Sequence, residues 1–336
     1  MKLDAALPPT HLGAVAEVAR AAEAMGFSAL WTTETQHDPF LPHTLIAEHT
    51  SRLRSGTAVA IAFARSPATL AYTAWDLAQL SGGRFILGLG TQVKAHIERR
   101  FGMPWPESVT GKLREQIRAI RDFWDCWQNG TPLNYRSEHY KLTLMSPFFN
   151  PGPIDHPDIP IFIAGVNTGL ARLAGETCEG FHVHPFHTQK YLREIILPAI
   201  TVGAEKAGRT RTDVTISASI FAAVDEGQRE FCRQQISFYA STPSYRPVME
   251  LHGWGEIAER LSSLASRGQW AEMPVLIGDE MLNEFCVQAR ENELAETIHA
   301  RYASLVDRIT PYMPFVPGSQ DGLWKKLSEY FKSSGG

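Results

Sequence analysis

Three stretches of the chain repeat one pattern: an amphipathic run, a glycine, a block of continuously apolar residues, and then polar residues. In the first, Ala24-Met25-Gly26-Phe27 leads into Ala29-Leu30-Trp31-Thr32-Thr33-Glu34. In the second, Ser81-Gly82-Gly83-Arg84 leads into Phe85-Ile86-Leu87-Gly88-Leu89 and leaves through Gly90-Thr91-Gln92. In the third, residues 174–179 and Gly180 lead into Phe181-His182-Val183-His184. Glycine suits the left-handed residue that stops a helix. A strand that is apolar at every position, not at alternate ones, is covered on both faces, as strands of parallel sheets are. The repeated unit is therefore a βα module, and a series of them builds a parallel sheet or a closed barrel.

Along the whole chain the same reading predicts strands over 2–7, 29–33, 56–63, 85–89, 159–166, 181–184, 214–224 and 284–289, with a last helix over 293–307 closing the barrel. Thr10 reads as the N-cap of a helix over 11–25, and Ser66 followed by Pro67 is a second helix start. Two segments break the alternation. Residues 129–160 contain six prolines and two short arms of a hairpin, which suits a lid or a subunit contact. Residues 228–279 are mostly helical in pattern and read as an excursion over the barrel mouth. No linker divides the chain. The expectation is one α/β domain, a (β/α)8 TIM barrel over 1–332 with insertions at about 129–160 and 228–279, and 333–336 as a disordered tail.

Composition narrows the function. The 336 residues are 44% hydrophobic and 20% charged, enough for one large core. A formal net charge of −4 gives no reason to expect nucleic acid or an anionic membrane as partner. No apolar run approaches the ~20 residues of a membrane span. Cys126, Cys178, Cys232 and Cys286 are widely spaced and form no CxxC pair, which suits a reduced, cytoplasmic protein.

Barrel chemistry sits at the C-terminal strand ends. Glu34 and His37 follow the second strand and are the candidate catalytic residues: a histidine with an acidic neighbour can exchange protons near neutral pH, and Glu34 could tune it. The competing readings are a rim ion pair for Glu34, and a cap or an Asp38 partner for His37. Gly90, Thr91 and Gln92 carry little bulk and let backbone amides approach a ligand. Tyr245, in the excursion, is a candidate substrate contact. Trp124 and Trp127 read as core or interface. His182 and His184 suggest a metal-dependent barrel hydrolase, but Gln288, Ala289 and Arg290 stand where that site needs a carboxylate, and no metal ligand is assigned. Gly88-Leu89-Gly90 lacks the third glycine and the first-strand position of a dinucleotide fingerprint.

Over essentially its whole length the chain resembles the bacterial luciferase-like monooxygenase superfamily, and within it the branch that uses the deazaflavin coenzyme F420. The resemblance is carried by residues 81–91, by Gly56-Thr57-Ala58-Val59, by the 129–160 hairpin, and by Ala174-Gly175 with Glu179-Gly180-Phe181. HDPFLP, FARSP, STPSYRPV and LHGWGE, at 37–42, 63–67, 241–248 and 251–256, are similar to a group of F420-dependent oxidoreductases within that branch. The resemblance implies hydride transfer to or from a small, partly apolar substrate, and a homodimer. It implies a non-prolyl cis peptide at Ala58-Val59 against the cofactor ring. It implies cofactor contacts from Thr91 and Gln92, a tail-phosphate turn at Gly165, Val166, Asn167, Thr168 and Gly169, and cofactor or substrate contacts from His184 and His187. Two departures stand out. Thr35 follows Glu34 where the F420-dependent dehydrogenases place a histidine, and Val93 stands where they place a glutamate. An FMN-dependent monooxygenase and a non-catalytic cofactor-binding protein are the alternatives.

Overall fold

The computed structural model describes residues 1–334. Eight parallel strands close into a barrel. They are β1 (Lys2–Leu3 with Ala5–Ala6), β2 (Ala29–Thr32), β3 (Arg54–Thr57), β4 (Phe85–Gly90), β5 (Ile161–Gly165), β6 (Gly180–Val183), β7 (Thr215–Ala223) and β8 (Arg308–Pro311). Closure is made at β1. Its first piece pairs with β8 (Lys2 with Arg308) and its second with β2 (Ala5 with Leu30). The principal outer helices are α1 (Leu12–Met25), α2 (Leu41–His49), α3 (Pro67–Ser81), α4 (Val109–Asn129), α5 (Thr168–Thr177), α6 (Leu197–Lys206), α7 (Glu226–Ala240) and α8 (Asp321–Ser333). Among the described residues no helix is long and apolar enough to cross a membrane.

The eighth strand is not where the sequence pattern put it. Cys286–Gln288 is a short strand that pairs only with the far end of β7, Phe221 to Ala223. The closing strand is Arg308–Pro311, and the helix expected over 293–307 forms as the shorter Leu294–Tyr302, before that strand and not after the last one. The physical reason lies inside the barrel. Arg308 points inward, so β8 lacks the run of apolar residues that marks a buried strand. Strand β3 is also shorter than expected: it ends at Thr57 and resumes as Ala60–Ile61. The hairpin in the first insertion forms, with Tyr135–Arg136 antiparallel to Lys141–Leu142. At the C-terminus, Ser333 is the last residue of α8, and 335–336 of the expected tail lie outside the described residues.

A buried ion pair organises the barrel interior. Asp4 and Arg308 are 0% and 4% exposed, and Arg308 donates to both carboxylate oxygens, at 2.7 and 2.6 Å. Trp31 Nε1 donates to the same carboxylate at 3.0 Å, and the guanidinium lies 5.6 Å from the Trp31 ring centre. Trp31 then packs with Ala29, Ile86 and Phe162 in a small buried cluster.

A buried pair is a weak source of net stability, but removing one partner strands a charge in the interior. Arg308→Met is expected to lose ~3–5 kcal/mol in urea unfolding, and the double variant Asp4→Leu/Arg308→Met to recover most of it. Equal loss in both would show that packing, not charge, governs this site.

Candidate active site

The rim begins where β3 and β4 almost touch. A Cβ at Gly88 would overlap the Thr57 carbonyl oxygen, and one at Gly90 would overlap the Val59 side chain. Only glycine allows this approach, which explains the Gly88-Leu89-Gly90 spacing. Thr57 locks the two strands: its hydroxyl donates to Gly88 O at 2.6 Å and accepts from Gly88 N–H at 2.9 Å. The Ala58-Val59 peptide that follows is cis. Beyond β4, Thr91 and Gln92 are half-buried, and Gln92 adopts φ 59°, a left-handed conformation rare for a residue with a side chain. Its own Oε1 accepts from Val93 N–H at 3.0 Å and holds that turn. Such residues collect at ligand sites.

Glu34 and His37 do not form a pair. The Glu34 side chain is 6% exposed, and its Oε2 accepts from Ile61 N–H at 2.6 Å and from Arg65 at 2.7 Å. Arg65 also reaches Asp38 at 3.4 Å and lies 5.3 Å from the Phe40 ring centre. Glu34 therefore braces the chain just past Val59. In this fold its carboxylate serves positioning, holding Ile61 N–H and Arg65. His37 is exposed, and Asp38 spends its other oxygen capping Phe40 and Leu41 N–H.

The turn from β5 into α5 offers a different chemistry. Asn167 occupies the N-cap position of this 10-residue helix without capping it. Its Nδ2 instead donates to Ser244 O at 2.9 Å, tying the turn to the excursion. Among the described residues the first-turn amides of α5 thus have no side-chain cap, and the positive end of the helix dipole lies there. The start of α4 adjoins, since a Cβ at Gly169 would lie 3.4 Å from the Thr110 methyl.

An aromatic wall stands beyond β6. The His184 ring lies 4.7 Å from both Tyr239 and Tyr245, centre to centre, and Phe186 stacks on Phe285 at 4.6 Å. The Tyr239 and Tyr312 hydroxyls are 2.7 Å apart. His184 Nδ1 accepts from Phe186 N–H at 3.1 Å, so the neutral ring carries its proton on Nε2. Burial, with His187 adding to it, pushes the His184 pKa down to about 3. Burial also raises the Tyr245 hydroxyl. His187 does not reach the rim. It is 2% exposed, its Nδ1 lies 2.8 Å from His184 O, and its ring packs against Tyr302, so its substrate contact is corrected to support of His184.

The hydrolase alternative fails on geometry. His182 points into the barrel, 4.8 Å from the Trp31 ring and 5.2 Å from Phe162, whereas His184 lies in the rim wall. The metal-type triad found among the described residues is Glu115, Glu138 and His139, where α4 meets the hairpin. Sequence reasoning missed Arg65, Ser244 and the Tyr239–Tyr312 pair. Arg65 lies in the FARSP run, but only coordinates bring it to Glu34. Two cavities of about 600 and 410 Å³ open on the opposite, N-terminal face and contain none of the rim residues.

Barrel, rim and comparisons converge on one class, the oxidoreductases that work with a flavin or a deazaflavin. The chain belongs to the luciferase-like monooxygenase family, which matches residues 2–308. An uncharacterized protein of Mycobacterium tuberculosis is 40% identical over 336 residues, covering 98% of each chain. The 5,10-methylenetetrahydromethanopterin reductase of Archaeoglobus fulgidus is 25% identical over 311 residues, covering 90% of each. The coenzyme F420-dependent tetrahydromethanopterin reductase of Methanopyrus kandleri shares the fold, with a TM-score of 0.78 at 20% identity over 98% of this chain and 97% of that one.

Three buried imidazoles and the half-buried His184 set an acid limit. Burial lowers His43, His182 and His184 to about 3 and His187 to about 4, against ~6.5 in an unfolded chain. Between those values the unfolded state binds protons that the folded state refuses, so stability falls as pH falls below ~6.5. Urea unfolding between pH 6.5 and 5 should show this fall, with a slope about one proton smaller in His43→Gln. A flat profile would contradict the neutral assignments.

Proposed function

We propose that the chain is a coenzyme F420-dependent oxidoreductase that transfers a hydride between the deazaflavin and a small, partly apolar organic substrate. The observation that carries this reading is likeness over almost the full length to the methylenetetrahydromethanopterin reductases, of which the solved example is F420-dependent. The residues present fit such a group. The uncapped first turn of α5 suits an anionic tail, and the glycine-thinned edge of β4 suits a flat ring.

In this reading Ala58, Val59, Thr91 and Gln92 would seat the ring, and Gly165 to Gly169 would hold the phosphate through backbone N–H groups. A bound deazaflavin supplies two-electron hydride chemistry. The chain's own contribution is orientation and proton handling. The His184 Nε2–H is a neutral donor across the physiological range, suited to holding a substrate or cofactor carbonyl. Tyr245 and Phe186 keep that side apolar and exclude water. His37, exposed at the rim, is the proposed point of proton exchange with solvent. Glu34 and Arg65 hold the segment that carries Ala58 and Val59.

Fluorescence-quenching titration tests the cofactor. F420 should bind more tightly than FMN, and preference for FMN would move the protein to the flavin-dependent monooxygenases. Gly169→Asp places a carboxylate at the α5 N-terminus, where it favours the helix but repels the tail. It is expected to weaken F420 at least about tenfold with no loss of melting temperature. Unchanged affinity would remove the phosphate from this turn.

A further inference from the structure

The base of the barrel holds a cavity of about 600 Å³, within the ~300–1,000 Å³ range of small-molecule sites. Its wall carries Lys2, Arg54, Arg211 and Arg308, with Glu179 and Asp307 as the only carboxylates among the described residues. Both carboxylates are already engaged. Glu179 accepts from Arg121 at 2.7 Å and from Ile161 N–H at 2.9 Å. Asp307 accepts from Ile216 N–H at 2.7 Å and lies 3.7 Å from Arg211. Arg308 is held by Asp4.

Two cations are left over. Arg54, at the start of β3, is half-buried and makes no ion pair or side-chain hydrogen bond among the described residues. Burial, and then the neighbouring Arg308, disfavour its charge while Asp4 favours it, and the net effect is a lowered pKa that an anion in the cavity would relieve. Lys2, the exposed start of β1, likewise has no ion pair among the described residues. The Thr215 and Ser304 hydroxyls line the same space and can donate to an oxyanion. A surplus of two positive charges, a fork-shaped guanidinium and two hydroxyls match a phosphate dianion, and the volume leaves room for an organic remainder.

We propose that the N-terminal mouth of the barrel is a second ligand site, one that binds a phosphate dianion, free or as the monoester of a small metabolite. It lies at the other end of the barrel from the rim and does not depend on which cofactor the rim takes.

The test is calorimetric titration of the full chain at constant ionic strength with inorganic phosphate and with glycerol 3-phosphate, using chloride as control. Saturable binding is expected for the wild type. It should fall at least about tenfold in Arg54→Ala and in Lys2→Ala, while the affinity of these variants for F420 or FMN is unchanged. Gly169→Asp keeps the basal mouth intact and should bind phosphate like the wild type, which separates this site from the α5 turn. Tighter binding of glycerol 3-phosphate assigns the ester, and tighter binding of inorganic phosphate assigns the free ion. Absence of saturable binding, or binding lost in Gly169→Asp and kept in Arg54→Ala, overturns the proposal.

Discussion

Where β3 meets β4, backbone occupies the space that a side chain would take. The Thr57 carbonyl fills the Cβ position of Gly88, Val59 covers that of Gly90, and the Thr57 hydroxyl bonds both the N–H and the C=O of Gly88. Everything at the rim is placed by this contact. It fixes the direction in which the chain leaves Thr57, and Glu34 then anchors Ile61 and Arg65 from β2. It also sets where Thr91 and Gln92 turn away from β4. Any residue larger than glycine at 88 or 90 would force the strands apart and move the whole edge.

Below that edge the barrel is polar along one line. Arg308, Asp4 and Trp31 are joined by hydrogen bonds, and His182 packs edge-on against Trp31. A charged interior costs desolvation, and here it is met by a bidentate ion pair and an indole N–H. It also separates the two faces. The rim offers neutral donors, backbone amides and aromatic surface, while the base offers surplus positive charge. The two ends of one barrel thus suit different ligands.

Much of this was legible in the sequence. Strands β2, β4 and β6 were found because burial on both faces demands unbroken apolar residues, and helix α3 because Ser66 and Pro67 mark its start. Strand β8 was missed for the same physical reason in reverse, since Arg308 faces inward to meet Asp4, 304 positions earlier. At the site, the glycine pair was visible but its cause was not, because overlap with Thr57 and Val59 is a property of register between strands. Glu34 and His37 are close in sequence, yet an arginine 31 positions away from Glu34 claims its carboxylate. His184 and His187 read as equivalent rim residues. In the fold one joins an aromatic wall and the other turns into the core, a difference that only the bend after β6 decides.

The claim that the β3–β4 edge is a cofactor seat is tested most directly by a crystal structure of the protein grown with F420. The expected density is a flat ring in contact with the Ala58-Val59 peptide and Gly90, and a phosphate within hydrogen-bond reach of the first amides of α5. Clear density for F420 at any other place, or for its ring away from the β3–β4 edge, would contradict it.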